Sequence, residues 1–404
     1  MNETEKDAER PKKIGLRFPS WCGYGPTITR GILSRIREGL SWKLIGHYPS
    51  HGEMEVIEVG ADWEGDGVIL FRASEEELAS YRDRGIPAVI MSSEGPALDF
   101  PRVFVNGEKI GRMAFQHLAE CQLKHFAFLG RGETLYQENN FGSGWRRYSR
   151  DRLAGFRGAV EEHGFELISN HLRGYPLWEK DAWQQIDKDV KAILLTLPKP
   201  CGLFVVDDSL SAVVSLAAAD LGIRIPQDLA LVGFGNDANY CLLCSPPLSS
   251  LRYPGEKVGY RAAELLEAQF KGEEVPAESQ IDPEPVEARE STDLINIDDT
   301  ELVRIVRWVR KRAMFKMVQV SDLADMSEYS ASTIKARFQK HLGHSPKKEI
   351  TMVRVMHLKY LLRKSDQPLS EIADMMDFAS ANELSRFFQR EVGMRPGEYR
   401  EGVD

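Results

Sequence analysis

Two hydrophobic rhythms divide this chain. Through most of its length, short apolar runs alternate with stretches in which apolar side chains recur every three or four positions. Residues 13–18 read as a strand and 27–39 as a helix stopped by glycine. Further strands are expected at 67–71, 87–91, 103–105 and 126–129, with a helix at 109–120 among them. A second series follows: helices at 153–163 and 182–197, a strand at 202–206, a helix at 210–221 and a strand at 229–232. Strand–helix alternation of this kind predicts parallel sheets covered on both faces, an α/β class. Roughly 280 residues is large for one sheet, so two lobes with a cleft between them are expected.

The rhythm changes after Asp282-Pro283-Glu284-Pro285. Residues 291–300 are polar and acidic and read as a linker. Beyond them the pattern is helical only, and it repeats. Ser321-Asp322-Leu323-Ala324-Asp325-Met326 is echoed by Ser370-Glu371-Ile372-Ala373-Asp374-Met375 at an offset of 49. Ile334, Phe338, Gln339, Gly343 and Pro346 are echoed by Leu384, Phe388, Gln389, Gly393 and Pro396 at an offset of 50. Each copy reads as a short helix, a tight turn and a second helix, with one extra residue in the second turn. A helix from 347 to 364 joins them. Two such units suit two successive major grooves of DNA.

The echoed Leu323, Ala324, Ile334 and Phe338, with Ile372, Ala373, Leu384 and Phe388, are expected in the core. The exposed faces of the second helices then carry the information. In the first copy these are Ser332, Thr333, Lys335 and Ala336, and in the second Ala381, Asn382, Glu383 and Arg386. Lys and Arg suit guanine, Asn suits adenine, and Glu accepts from cytosine. Lys340, Lys347, Lys348 and Arg390 are expected on phosphate. The predicted organisation is a disordered polar N-terminus (1–12), a two-lobed α/β domain (13–290), a linker (291–300) and a DNA-binding domain (301–404).

Charge sharpens this division. The chain has 404 residues and a net charge of -9. Residues 298–404 carry 19 Lys and Arg against 16 Asp and Glu, whereas the preceding part carries 33 against 45. The repeat therefore lies in the basic end of an acidic molecule. Five scattered cysteines argue for a reducing compartment, and no apolar segment follows the polar start, so cytoplasm is the expected location. Cys241 and Cys244 form a lone CxxC with no second ligand pair, no cofactor motif is present, and no nucleophile elbow or zinc-protease motif suggests an enzyme.

Residues 221–234, Leu-Gly-Ile-Arg-Ile-Pro-Gln-Asp-Leu-Ala-Leu-Val-Gly-Phe, resemble a signature of the LacI/GalR-type sugar-sensing domains. Arg152-Leu153-Ala154-Gly155-Phe156 and Pro246-Pro247-Leu248-Ser249-Ser250 match two more. The resemblance runs from about residue 13 to 292 and implies a periplasmic-binding-protein-like sensor of two doubly wound lobes, with a sugar between them. That family's own N-terminal helix-turn-helix is missing. Carried over residue by residue, it implies ligand contacts at Tyr24, Arg152, Asp207 and Asn236. Gly235 stands where the family often has Asp, which leaves Asn236 or Asp237 to fill that role. Arg152 could instead be a surface arginine, and Asp207 with Asp208 a helix N-cap pair.

The C-terminal end resembles the AraC/XylS-type DNA-binding domain. The resemblance rests on Leu302, Ile305, Val306 and Val309 along one helix face, on Asp377-Phe378 with Phe387-Phe388, and on Gly393-Met394-Arg395-Pro396-Gly397-Glu398-Tyr399-Arg400. That family commonly has Arg where Ala336 stands. The two resemblances together imply a sugar-responsive, dimeric transcription factor, with xylose or a related sugar as effector, promoter DNA as partner and RNA polymerase as a further one. Two alternatives stand beside it: a sugar-binding or sugar-modifying protein with a tethering domain, and a regulator that senses a purine or another metabolite.

Overall fold

The computed structural model describes residues 10–18, 23–46, 59–95, 99–121, 123–134, 144–173, 181–294, 299–365 and 367–401. It divides into two compact units, Met1–Leu294 and Ile295–Asp404.

Among the described residues the first unit holds two six-stranded sheets. One runs, edge to edge, through Glu278–Ile281, Arg102–Val105, Ala88–Ile90, Gly67–Leu70, Lys12–Arg17 and Trp42–Gly46, with every pair parallel. The other runs through Glu284–Glu287, Ser249–Arg252, Leu229–Gly235, Cys201–Val205, Phe126–Arg131 and Leu167–Leu172. It is parallel except at the edge pair of Ser249–Arg252 with Glu284–Glu287. Helices on both faces explain why Gly67–Leu70 and Cys201–Val205 are apolar and buried throughout.

The chain changes lobe three times among the described residues. Strand Arg102–Val105 hands over at Asn106 to helix Gly107–Ala119, whose Ile110, Phe115 and Leu118 lie in the core of the second lobe. Strand Ser249–Arg252 hands over at Tyr253 and Pro254 to helix Gly255–Phe270, whose Val258, Ala262 and Leu266 fill the core of the first. The third crossing joins Glu278–Ile281 to Glu284–Glu287. Neither of these two edge strands has an apolar rhythm, so the sequence pattern missed them.

Helix Arg147–Glu162 starts six residues before the expected 153. Its first turn has no capping side chain of its own; Glu94 of the other lobe accepts from the Tyr148 N–H at 2.9 Å. It packs backbone to backbone on Gly107–Ala119. A Cβ at Gly111 would stand 2.2 Å from the Arg152 carbonyl oxygen, and one at Gly155 1.9 Å from that of Glu108.

The second unit contains the two expected helix pairs, Val320–Asp325 with Ala331–Leu342 and Leu369–Met375 with Ala381–Val392. Leu323, Ile334 and Phe338 join Leu302, Ile305, Val306 and Val309 of helix Thr300–Arg312 in one core. Ile372, Ala373, Leu384 and Phe388 form a second core. Helix Pro346–Lys364 gives Ile350 and Val353 to the first and Leu358, Leu361 and Leu362 to the second. In the second turn Asp377 sits at φ 58°.

Two expected boundaries shift. Residues 1–9 lie outside the described residues, but Arg10 already pairs with Asp66 at 2.8 Å and Lys12 opens the first strand. Of the expected linker 291–300, Ser291 and Thr292 are buried in the first unit and Asp299 caps helix Thr300–Arg312; residues 295–298 lie outside the described residues.

Candidate ligand cleft and DNA-reading surface

In open parallel sheets, ligands bind outside the strand C-termini, where the strand order reverses. In the second sheet that reversal lies between Cys201–Val205 and Phe126–Arg131. Asp207 follows the first of these strands and Arg131 ends the other. Arg131 Nε and Nη2 reach the two Asp207 carboxylate oxygens at 2.8 and 3.1 Å. Asp207 also caps helix Asp208–Asp220, accepting from the Leu210 N–H at 2.8 Å and from the Ser209 hydroxyl at 2.6 Å. Burial alone would raise its pKa. The Arg131 charge and these hydrogen bonds outweigh burial and hold the carboxyl well below the usual carboxylate range. Asp207 is thus a helix cap, as the sequence alternative allowed, and it stands just past the strand ends at the order reversal. Arg131 was missed because the strand was expected to end at 129.

Arg152 is not a solvated surface arginine. Its guanidinium lies over the Phe234 ring at 4.2 Å and the Tyr148 ring at 5.0 Å, and Nη1 donates to the Val206 carbonyl. Its buried Nε has no hydrogen-bond partner among the described residues. Burial pushes its pKa down, against the opposing pull of Tyr148 and Asp207.

The segment after strand Leu229–Gly235 explains the glycine at 235. Gly235 has φ 129°, and a Cβ there would stand 3.0 Å from Asp208 Oδ2. Asp208, 2% exposed, accepts from the Ser250 hydroxyl at 2.6 Å, the Asp237 N–H at 2.9 Å and the Cys241 thiol. Burial lifts its pKa to about 6. Asn236 turns its Oδ1 to Arg289 Nη2 at 2.7 Å. Asp237 Oδ1 accepts from the Asn239 N–H at 2.9 Å, and its Oδ2 faces Gly23 of the first lobe, where a Cβ would stand 2.1 Å away. Tyr24 stacks on Tyr253, at the second crossing, with ring centroids 4.0 Å apart. Arg152, Asp207 and Arg131 therefore gather at the second lobe's strand ends, whereas Tyr24 lies against a crossing segment. The lobes are bridged by Glu94 on the Tyr148 N–H and by Arg147 with both Glu278 oxygens.

In the C-terminal unit both second helices are capped by serine. Ser330 accepts from the Thr333 N–H and Ser380 from the Glu383 N–H, each at 3.2 Å. Ser332 and Thr333 both turn their hydroxyls to Ser330, at 2.9 and 2.8 Å. Glu383 reaches back to the Ala379 N–H at 2.8 Å, one residue before the Ser380 cap, so one of its oxygens is already engaged. Lys335, Lys340, Lys347, Lys348, Asn382, Arg386 and Arg390 are exposed. Arg390 pairs with Glu391 at 2.7 Å. Arg386, Arg390, Lys347 and Glu383 line one groove of about 530 Å³ between the two helix pairs. Arg337, adjacent to Ala336, is engaged by the Asp299 carboxylate and the Tyr329 ring.

The joint between the helix pairs is a buried arginine, which sequence reasoning did not single out. Arg354, 2% exposed, donates to the carbonyls of Ala313 (3.3 Å), Lys316 (2.9 Å) and Met376 (2.6 Å) and lies 4.2 Å from the Phe378 ring centroid. Asp377 adds a bond from the Met317 N–H at 2.9 Å.

Comparison with known proteins agrees with this division. Residues 115–292 match a periplasmic binding protein-like domain and residues 323–402 a helix-turn-helix domain. The chain is 26% identical over 396 residues to the xylose operon regulatory protein of Escherichia coli (strain K12), covering 96% of this chain and 97% of that one. It is 28% identical over 280 residues to the HTH-type transcriptional regulator GntR of the same organism, covering 65% and 76%. A solved structure of a xylose-binding transcription activator, xylR, superposes with a TM-score of 0.59 at 22% identity, over 97% of this chain and 98% of that one.

Proposed function

Because this chain is a transcription regulator that joins a periplasmic binding protein-like domain to a helix-turn-helix domain, we propose that a sugar in its interlobe cleft alters promoter binding by the C-terminal unit. The effector in this reading is xylose or a close relative, as the name of the full-length relatives suggests. Arg152 carries the reading. It is a fork of donors lying 4.2 and 5.0 Å from the centroids of two aromatic rings at the strand ends, with its Nε unpartnered among the described residues. That geometry suits adjacent hydroxyls of a polyol. Asp207, Asn236 and Asp237 supply acceptors, and Tyr24 an aromatic face. The protein acts as a cytoplasmic homodimer with RNA polymerase as a further partner, and it performs no catalysis.

On DNA, Lys335, Asn382 and Arg386 contact base edges, with Ser332, Thr333 and the free oxygen of Glu383 beside them. Lys340, Lys347, Lys348 and Arg390 hold phosphate. A thermal-shift screen of pentoses and hexoses, paired with retardation of the chain's own upstream DNA, tests both halves. Arg152→Ala should abolish the shift given by the active sugar. Arg386→Ala should cost about 1–3 kcal/mol and relax preference at one base pair. Lys347→Ala should weaken all sequences alike and flatten the salt dependence. A chain that no sugar shifts, or that retards no DNA specifically, would sink the corresponding half.

A further inference from the structure

The loop after strand Leu229–Gly235 is held by hydrogen bonds on two sides. Asn236 sits at φ 52°, a left-handed conformation that persists in a non-glycine residue when its surroundings over-determine it. On the buried side, the Asn236 N–H donates to Ser250 Oγ at 3.0 Å, and Ser250 Oγ donates in turn to Asp208 at 2.6 Å. On the other side stands Arg289. Its Nη2 donates to Asn236 Oδ1 at 2.7 Å and its Nη1 to the Leu248 carbonyl at 2.8 Å.

The backbone of Arg289 belongs to the segment by which the chain leaves the sensor. Its N–H donates to Ser249 Oγ at 2.7 Å, and that hydroxyl meets Thr292 Oγ1 at 2.7 Å. Thr292 Oγ1 lies 2.8 Å from His117 Nε2. The Ser249 N–H donates to Ser291 Oγ at 2.8 Å, and the Ser291 N–H to the Pro247 carbonyl at 3.0 Å. Ser249, Ser250 and Ser291 are at most 1% exposed. One connected run of hydrogen bonds therefore leads from buried Asp208, through Ser250, Asn236, Arg289 and Ser249, to Thr292. The sensor unit ends two residues later, at Leu294.

We infer that Arg289 is a positioning residue that couples the ligand-site loop to the exit segment of the sensor. Resting on the cleft reading above, the mechanism is a difference between two states of one loop. A sugar hydroxyl that re-aims Asn236 draws Arg289 with it, and the Arg289 backbone is the first residue of the hydrogen-bonded exit segment. A ligand moves this equilibrium only by its differential affinity for the two loop positions, and Arg289 makes that difference reach residues 291–294.

The test uses the full chain with D-xylose as probe and the upstream promoter DNA, comparing Arg289→Met and Arg289→Lys with the unaltered protein. Arg289→Met is expected to bind D-xylose nearly as well by calorimetry, while the ratio of DNA affinities with and without sugar falls toward one. Arg289→Lys, which keeps one donor, recovers part of that ratio. Hydrogen exchange on the sugar-free chain reads the same coupling without any ligand. In Arg289→Met the amides of 236–237 and of 291–294 should speed up together. The inference is overturned if Arg289→Met keeps the full sugar-dependent ratio, if it loses sugar binding itself, or if exchange rises at one of the two segments alone. If D-xylose does not act on the unaltered protein, the sugar reading has failed, and the exchange experiment still decides the role of Arg289.

Discussion

At the residue scale, Asp207 and Asp208 show how environment separates two identical side chains. Asp207 has Arg131 and is held ionised; Asp208 is buried against hydroxyl, amide and thiol donors and its pKa rises to about 6. An acid whose folded pKa is raised contributes stability that is fully present below its unfolded pKa of about 3.9 and is lost as pH rises through about 6. Asp208→Asn does not titrate and escapes that loss. The melting temperature of Asp208→Asn relative to the unaltered chain should therefore climb between pH 5 and pH 7.5, by an amount corresponding to on the order of 1–3 kcal/mol. Fluorimetric melts at the two pH values check it, and a difference that stays flat would contradict the assignment. Asp207 and Arg152 could be named as candidates from sequence because a resemblance covers them. Arg131 and Arg289 could not: the first lay two residues past an expected strand end, and the second lay just before a stretch read as linker.

At the element scale, the helix that carries Arg152 is positioned by what it lacks. Gly111 and Gly155 let two helices approach until a methyl at either would collide with a carbonyl. Gly155→Ala should push the helices apart and cost about 1–3 kcal/mol as overpacking. Gly158→Ala on the same helix meets only the end of the Arg112 side chain at 3.4 Å. Helix propensity should make that change neutral or stabilising by up to about 1 kcal/mol. Calorimetric melts of the two variants would separate close approach from propensity, and equal effects would deny the close packing. Elements with a strong apolar rhythm, such as residues 67–71 and 202–206, were legible to within a residue. The start of helix Arg147–Glu162 was not, because its cap is Glu94, 54 residues away in the chain. The second helices of the two pairs were legible as elements, and their serine caps and closing glycines are local.

At the scale of the whole molecule, charge and rhythm divided the chain correctly into an α/β body and a helical end. The division was readable because each part must bury its own core, and periodicity reports burial directly. What periodicity does not report is how two helix pairs are joined. Arg354, a charged residue in the middle of an otherwise ordinary helix, makes that joint by donating to three backbone carbonyls from both sides. This bears on the spacing of the operator. B-DNA turns by about 35° and rises about 3.4 Å for each base pair, so one pair inserted between two read sites swings the second away from the helix that reads it. A hinged joint would follow that rotation, whereas one fastened through Arg354 would not. Inserting a single base pair between the two halves of a footprinted site should cost at least about tenfold in affinity, the loss of one bidentate base contact. An operator that tolerates the insertion would mean that the two readers swivel independently.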